Sequence, residues 1–185
     1  MKDNVWFTYK ARIQAHKRLE WLDFHAQLLL VWYAILSTIL AVLTIRYPKI
    51  IGDNTDILAT ILSVALLGVS LSVANRDFRG RAMLMRDNYL KLHKLYRNIQ
   101  YNIGTHTDHL AQYHDILFEA ENHREIDDRI ARVFSQGLTS RHPTRLEKTQ
   151  ACLWLVIRVL VTFSLYAAPV IVGFYAWNEN LGRSI

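Results

Sequence analysis

Eight histidines and one cysteine are the side chains of this 185-residue sequence best suited to hold a metal or to act as base and nucleophile. The densest group is His106, Asp108, His109 and His114. His109 and His114 stand five residues apart, which does not align two ligands on one helix face as the i, i+4 pair of a zinc helix does. No nucleophile, base and orienting group accompany them, so neither a metal nor a cofactor is expected and the chain reads as a non-enzyme. Cys152, being single, forms no intrachain disulfide and belongs to no zinc set.

Two other constellations are more telling. Arg76, Arg79, Arg81 and Arg86 lie close together just after an apolar run, and Tyr89, Lys91, Lys94 and Arg97 extend the basic surface. Such a cluster is either a stop-transfer signal in contact with anionic lipid or a docking surface for a phosphate-bearing regulator, because arginines on adjacent turns offer bidentate donors. Inside the apolar run, Thr60, Ser63, Leu67, Ser70 and Ala74 recur at spacings of 3, 4, 3 and 4. Small and hydroxyl residues in that pattern serve helix–helix contact or, in an assembly of several copies, a weakly polar pore lining. Arg158, Thr162, Tyr166, Pro169 and Gly173 share a face of a third apolar run. Arg158 near its end is placed to snorkel, yet a charge in a membrane segment is also a functional candidate, and it joins Thr60, Ser63 and Ser70 as a pore-lining candidate.

The elements that position these residues are membrane helices. Residues 26–45 run for twenty residues without a charge and residues 57–74 for eighteen, separated by RYPKIIGDNTD. A hydrocarbon layer about 30 Å thick needs about 20 helical residues, and backbone in lipid must satisfy its own hydrogen bonds. Pro48 and Gly52 stop the first helix, and Asn54 or Thr55 caps the second. Residues 153–177, with the single charge Arg158, form a third span bounded by Trp154, Tyr175 and Trp177. No acidic relay crosses these segments and no inverted repeat relates them, which argues against a proton-coupled transporter.

The remainder is water-facing. Residues 1–25 form an amphipathic helix with apolar lines Val5, Tyr9, Ile13 and Ala15, Leu19, Leu22, while Lys10, Arg12, Lys17, Arg18 and Glu20 fill its outer surface. Phe78, Ala82, Met85, Tyr89, Leu92, Tyr96, Ile99 and Ile103 are spaced alternately 4 and 3, a coiled-coil seam. With the second span they predict one rod over 56–103, roughly 70 Å long, with residues 1–25 packed along its outer half. Gly104 ends that rod. Two short helices follow, one carrying Leu110, Tyr113 and Leu117 and one carrying Ile126, Ile130 and Val133, and both should fold back on the stalk. Thr144 and Glu147 form a capping box opening the last helix. Five Lys and Arg in residues 1–25 and thirteen in 75–152, against two in 46–56 and one in 178–185, place the N-terminus in the cytoplasm and the C-terminus outside. The expected fold class is therefore an all-α membrane protein: residues 1–103 a transmembrane hairpin with a cytoplasmic helical stalk, 104–150 short cytoplasmic helices, and 151–185 a third span and tail. The formal net charge of +6 agrees with that asymmetry and does not by itself imply nucleic acid.

The basic N-terminal helix YKARIQAHKRLE, the two spans joined by a polar turn, and the juxtamembrane pattern RDFRGRA…NYLKLHKLY together resemble the SLATT domain, a two-helix membrane effector of bacterial conflict systems. The resemblance covers residues 1 to about 103, and the third span is an addition to its minimal pattern. It implies an inner-membrane protein that forms a homo-oligomer, contacts membrane lipid and, when triggered by phage infection, permeabilises the membrane and halts the cell. It also implies a separate sensor, either a cyclic-nucleotide system or a retron reverse transcriptase with its RNA and DNA. A non-conducting membrane scaffold that recruits a soluble partner through its cytoplasmic helices is the alternative.

Overall fold

The structure is a computed structural model in which residues 1–47, 55–136, 138 and 140–183 are described. Six helices follow in order: α1 (Lys2–Arg46), α2 (Thr55–Asn75), α3 (Phe78–Gln100), α4 (His106–Phe118), α5 (Glu125–Phe134) and α6 (Arg145–Arg183). All regular structure among the described residues is helical. Three helices, α1, α6 and the stretch Thr55–Gln100, contain windows long and apolar enough to cross a membrane, and those windows bury nothing inside the chain. The three expected spans lie within α1, α2 and α6, and the all-helical membrane fold holds. The turn residues Pro48, Gly52 and Asn54 lie outside the described residues.

The expected rod over 56–103 is two helices. Asp77 takes a left-handed conformation, φ 40° and ψ 52°, and its side chain accepts the Gly80 backbone N–H as the N-cap of α3. A short polar side chain that bonds locally is one of the few that tolerate this region. Gly80 fits the same geometry, because a Cβ there would run into the Asp77 carboxylate. At the far end α3 stops at Gln100, and Gly104 turns the chain at φ 98°. Ile103, expected within the seam, therefore lies beyond the helix and is exposed.

The chain divides into two compact units. The first joins Met1–Asp23 to Asp77–Val156. Its core has two clusters: Val5 with Leu92, Leu95 and Ile116, and Ala15 and Leu19 with Ala82 and Met85. The start of α1 meets the end of α3 and residue 19 meets residue 82, so the two helices pack antiparallel. Ile116 brings α4 onto the first cluster, and Tyr113 packs beside it. Thr105 caps α4 through a box with Asp108, and Thr144 caps α6 by accepting from Glu147 N at 3.2 Å while Glu147 accepts from Thr144 N at 2.9 Å.

The second unit joins Phe24–Arg76 to Ile157–Ile185. Its outward surface is apolar: Val31, Ile35, Ile39 and Val42 on α1, Ile61, Val64 and Leu67 on α2, and Val161, Phe163 and Val172 on α6 are all about half exposed or more. An apolar surface of this extent needs lipid rather than water. Pro169 within α6 removes the N–H that would have bonded the Leu165 carbonyl. The Tyr33 hydroxyl donates to that carbonyl at 2.9 Å, and Trp32 Nε1 donates to the next one, Tyr166 O, at 3.3 Å. The proline defect is thus repaired by α1, as lipid-embedded backbone demands.

Candidate functional site

In the first unit, elementary amphipathic reasoning places Arg12 and Arg18 on the surface of α1. They are instead 1% and 3% exposed. Arg18 makes a fork to Asp127, Nε to Oδ1 at 2.9 Å and Nη2 to Oδ2 at 3.0 Å, with both side chains buried. Asp127 also accepts the Arg124 backbone N–H at 2.9 Å, closing the first turn of α5. Arg12 donates to Asn88 Oδ1 on α3 and to the Ile116 and Leu117 carbonyls at 3.3 Å each. Those carbonyls sit at the C-terminal end of α4, where the helix dipole favours a cation. Asn88 completes the cluster by donating to Ile116 O at 2.5 Å. For Arg12 the spacing carried a hint, since it stands seven residues from both Val5 and Leu19.

The same α5 also grips α6. Arg132 donates to Asp128 at 2.9 Å and to Glu147 Oε2 at 3.1 Å, and Arg129 donates to Gln150 at 2.8 Å. Hydrogen bonding from Arg132, reinforced by the Thr144 N–H, holds the Glu147 carboxyl well below its ordinary 4.5, at about 2. This ten-residue helix therefore ties α1 to α6 by charge-assisted bonds within the unit. Near it, burial pushes His123 below the ordinary 6.5; Arg12 acts in the same direction, and Asp128 and Asp127 oppose it. Burial likewise draws Arg12 below the usual arginine value.

The Arg76, Arg79, Arg81 and Arg86 cluster is divided between the two units and differs in its partners. Arg81 is bound to Glu121 at 2.7 Å and Lys91 to Glu119 at 2.6 Å, both across to the segment following α4. Arg79 and Arg86 are exposed on α3, and Arg76 belongs to the second unit. Of the seam residues, Met85 and Leu92 are buried, while Phe78, Tyr89, Tyr96 and Ile99 are half-buried. Asn88 and Leu95, unremarked by the seam, are fully buried beside them. His109 is buried and bonded to the Ile103 carbonyl at 2.7 Å, and Asp108 completes the capping box with Thr105, so both serve the α4 start.

In the second unit, α1 and α2 enclose a groove of about 470 Å³ lined by Leu30, Val31, Ala34, Ser37, Ser63, Leu66, Leu67 and Ser70. Ser63 and Ser70, expected on one line, do share this groove, and Ser37 of α1 joins them. Thr60 is exposed outside the lining, and Arg158 is half-buried on α6, also outside it. Three α2 hydroxyls are turned back on their own helix: Thr60 to Asp56 O at 2.9 Å, Ser63 to Ala59 O at 2.9 Å and Ser70 to Leu67 O at 2.8 Å. So satisfied, a hydroxyl face is tolerated by lipid, and a rotamer change presents the same oxygens to water.

Comparison with known proteins adds one match. A family model described as SMODS and SLOG-associating 2TM effector domain family 5 matches residues 1–177. The match runs through α5 and most of α6, well past the residue 103 at which the resemblance was expected to stop, so the third apolar helix falls inside the matched region. No curated protein and no solved structure matches the chain.

Proposed function

The chain belongs to the SMODS and SLOG-associating 2TM effector domain family, and from that premise we propose that it is a pore-forming effector of a bacterial anti-phage system. In this reading it resides in the inner membrane with the N-terminus cytoplasmic and the C-terminus outside, as the Lys and Arg distribution favours. It acts physically on the bilayer rather than by catalysis. Several copies assemble, and the groove-lining hydroxyls of α2 face water in the conducting state. The first unit holds the resting state until a separate sensor, a nucleotide signal or a reverse transcriptase complex, releases it.

The observation that carries this reading is the groove of about 470 Å³ in which Ser37, Ser63 and Ser70 converge inside an otherwise apolar unit. A lipid-facing contact surface alone has no need of three hydroxyls on one concavity; a weakly polar conduit does. The test is Ser63→Leu/Ser70→Leu in cells, read by membrane potential and dye entry with insertion verified by fractionation. The expected result is lost leakage at normal insertion. Leakage equal to the parent chain at equal insertion rejects the pore-lining role.

A further inference from the structure

α3 carries a second seam beside the one it buries, and His93, half-buried and stacked on Tyr9 of α1, lies where the two meet. Arg79, Met83, Arg86, Leu90, His93 and Arg97 follow at spacings of 4, 3, 4, 3 and 4, so they form one stripe along the helix. Met85, Asn88, Leu92 and Leu95 lie on the buried seam. On the outer stripe Met83 is 60% and Leu90 49% exposed, and Tyr101 continues it at 62%. α3 holds six Lys and Arg against one acid, Asp87. Arg81 and Lys91 are neutralised by Glu121 and Glu119, and among the described residues no carboxylate pairs with Arg79, Arg86, Lys94 or Arg97 along this face. Between Leu90, His93, Lys94, Arg97 and Tyr101 the surface opens into a depression of about 280 Å³, large enough for one bulky side chain.

We propose that this face docks an acidic amphipathic helix of another protein, Leu or Ile knobs entering between Met83, Leu90 and Tyr101 and Glu or Asp flanking them against the four free cations. Alternation of apolar and charged positions at heptad spacing is the pattern of a helix–helix contact with complementary flanking charge. A second copy of α3 would set cation against cation, which excludes self-pairing through this stripe. A nucleic-acid strand would use the cations and leave Met83 and Leu90 without partners. An interfacial helix needs one continuous apolar face, whereas Met83 and Leu90 alternate with Arg79, Arg86 and Arg97 on this stripe and the exposed Leu84 lies off it. The inference concerns the partner and holds whether or not the second unit conducts.

The test uses the full chain in nanodiscs of zwitterionic lipid and three fluorescent probes followed by anisotropy. The first is a helical peptide with Leu at alternating 4 and 3 spacing flanked by Glu. The second replaces its Glu with Lys, and the third is a mixed-sequence single-stranded oligonucleotide. The acidic peptide should bind, the lysine peptide should not, and raising salt should weaken the complex. Arg86→Glu/Arg97→Glu should weaken the acidic peptide on the order of 10-fold or more, while Lys148→Glu on α6 should leave it unchanged. Four results overturn the proposal: no binding of the acidic peptide into the millimolar range, equal binding of both peptides, tighter binding of the oligonucleotide, or indifference to the Arg86/Arg97 reversal.

Discussion

Asp127→Ala should release α5 from α1. The Arg18 and Asp127 side chains are 4% and 1% exposed and joined by two bonds of 2.9 and 3.0 Å, so truncation strands a guanidinium in the core. Removing one member of a buried pair costs about 3–5 kcal/mol. The lost acceptor for the Arg124 N–H, which closes the first turn of α5, adds about 1 kcal/mol. Together these shift the docked-to-open ratio of α5 by on the order of 10³–10⁴-fold. The assay is amide hydrogen exchange on the full chain in nanodiscs, following peptides from α5. Their protection should fall toward that of an open segment while peptides from α3 keep theirs. Arg18→Met/Asp127→Leu should regain most of the protection, because an apolar pair of similar volume leaves no buried charge. In cells the single variant should leak without a trigger. Unchanged α5 protection in Asp127→Ala would refute the claim that this pair holds the helix.

Three further outcomes follow from the same geometry. Arg12→Met removes the donor shared by Asn88 Oδ1 and the Ile116 and Leu117 carbonyls, and should destabilise the first unit by about 1–3 kcal/mol in a denaturant titration. Because burial holds folded His123 below 6.5, the unfolded chain binds more protons between the two values; stability should fall as pH drops below 6.5 and level off beneath the folded value. His123→Gln should flatten that part of a thermal-unfolding pH profile, and an unaltered profile would remove His123 from the account. In the second unit, Tyr33→Phe leaves the Leu165 carbonyl without a donor and should lower resistance to unfolding in detergent by about 1 kcal/mol. Its effect should shrink in a Pro169→Ala background, where the helix supplies its own N–H.

Much of the architecture was legible because it rests on periodicity and on lipid as a solvent. Apolar runs of helix-spanning length, two without a charge and one with Arg158 alone, marked the three spans, and Thr144 with Glu147 announced the start of α6 through a box the structure contains. The break at Asp77 was hidden because the apolar pattern of α2 runs on into the periodic pattern of α3. Its local sign was Asp77 followed three residues later by Gly80, a cap geometry rather than a breaker. Arg12 and Arg18 were misplaced for a different reason. Amphipathic patterning assigns every cation to water, and only tertiary partners, Asn88 and Asp127, make their burial affordable. The groove was half visible: Ser63 and Ser70 share a face by spacing alone, whereas Ser37 needed the packing of α1 against α2.

The kind of bond used in each unit matches its solvent. In the first unit α1 and α6 are both tied to α5 by carboxylate–guanidinium pairs, Arg18 to Asp127 and Arg132 to Glu147. In the second unit the same two helices are tied by neutral donors, Trp32 and Tyr33, to the carbonyls of Tyr166 and Leu165. Neutral bonds avoid the cost of placing ions in lipid, and ionic bonds gain directionality where water is near. α2 differs from both. The Thr60, Ser63 and Ser70 hydroxyls bond only within their own helix, and its contact with α1 includes a groove rather than a close seam. Rearranging α2 against α1 therefore breaks no interhelical bond made by these hydroxyls, whereas separating α1 from α6 breaks at least three, the Trp32 and Tyr33 bonds and the one between His25 Nδ1 and the Tyr166 hydroxyl. A shift of α2 against α1 moves Ser63 and Ser70 together with the backbone carbonyls that satisfy them.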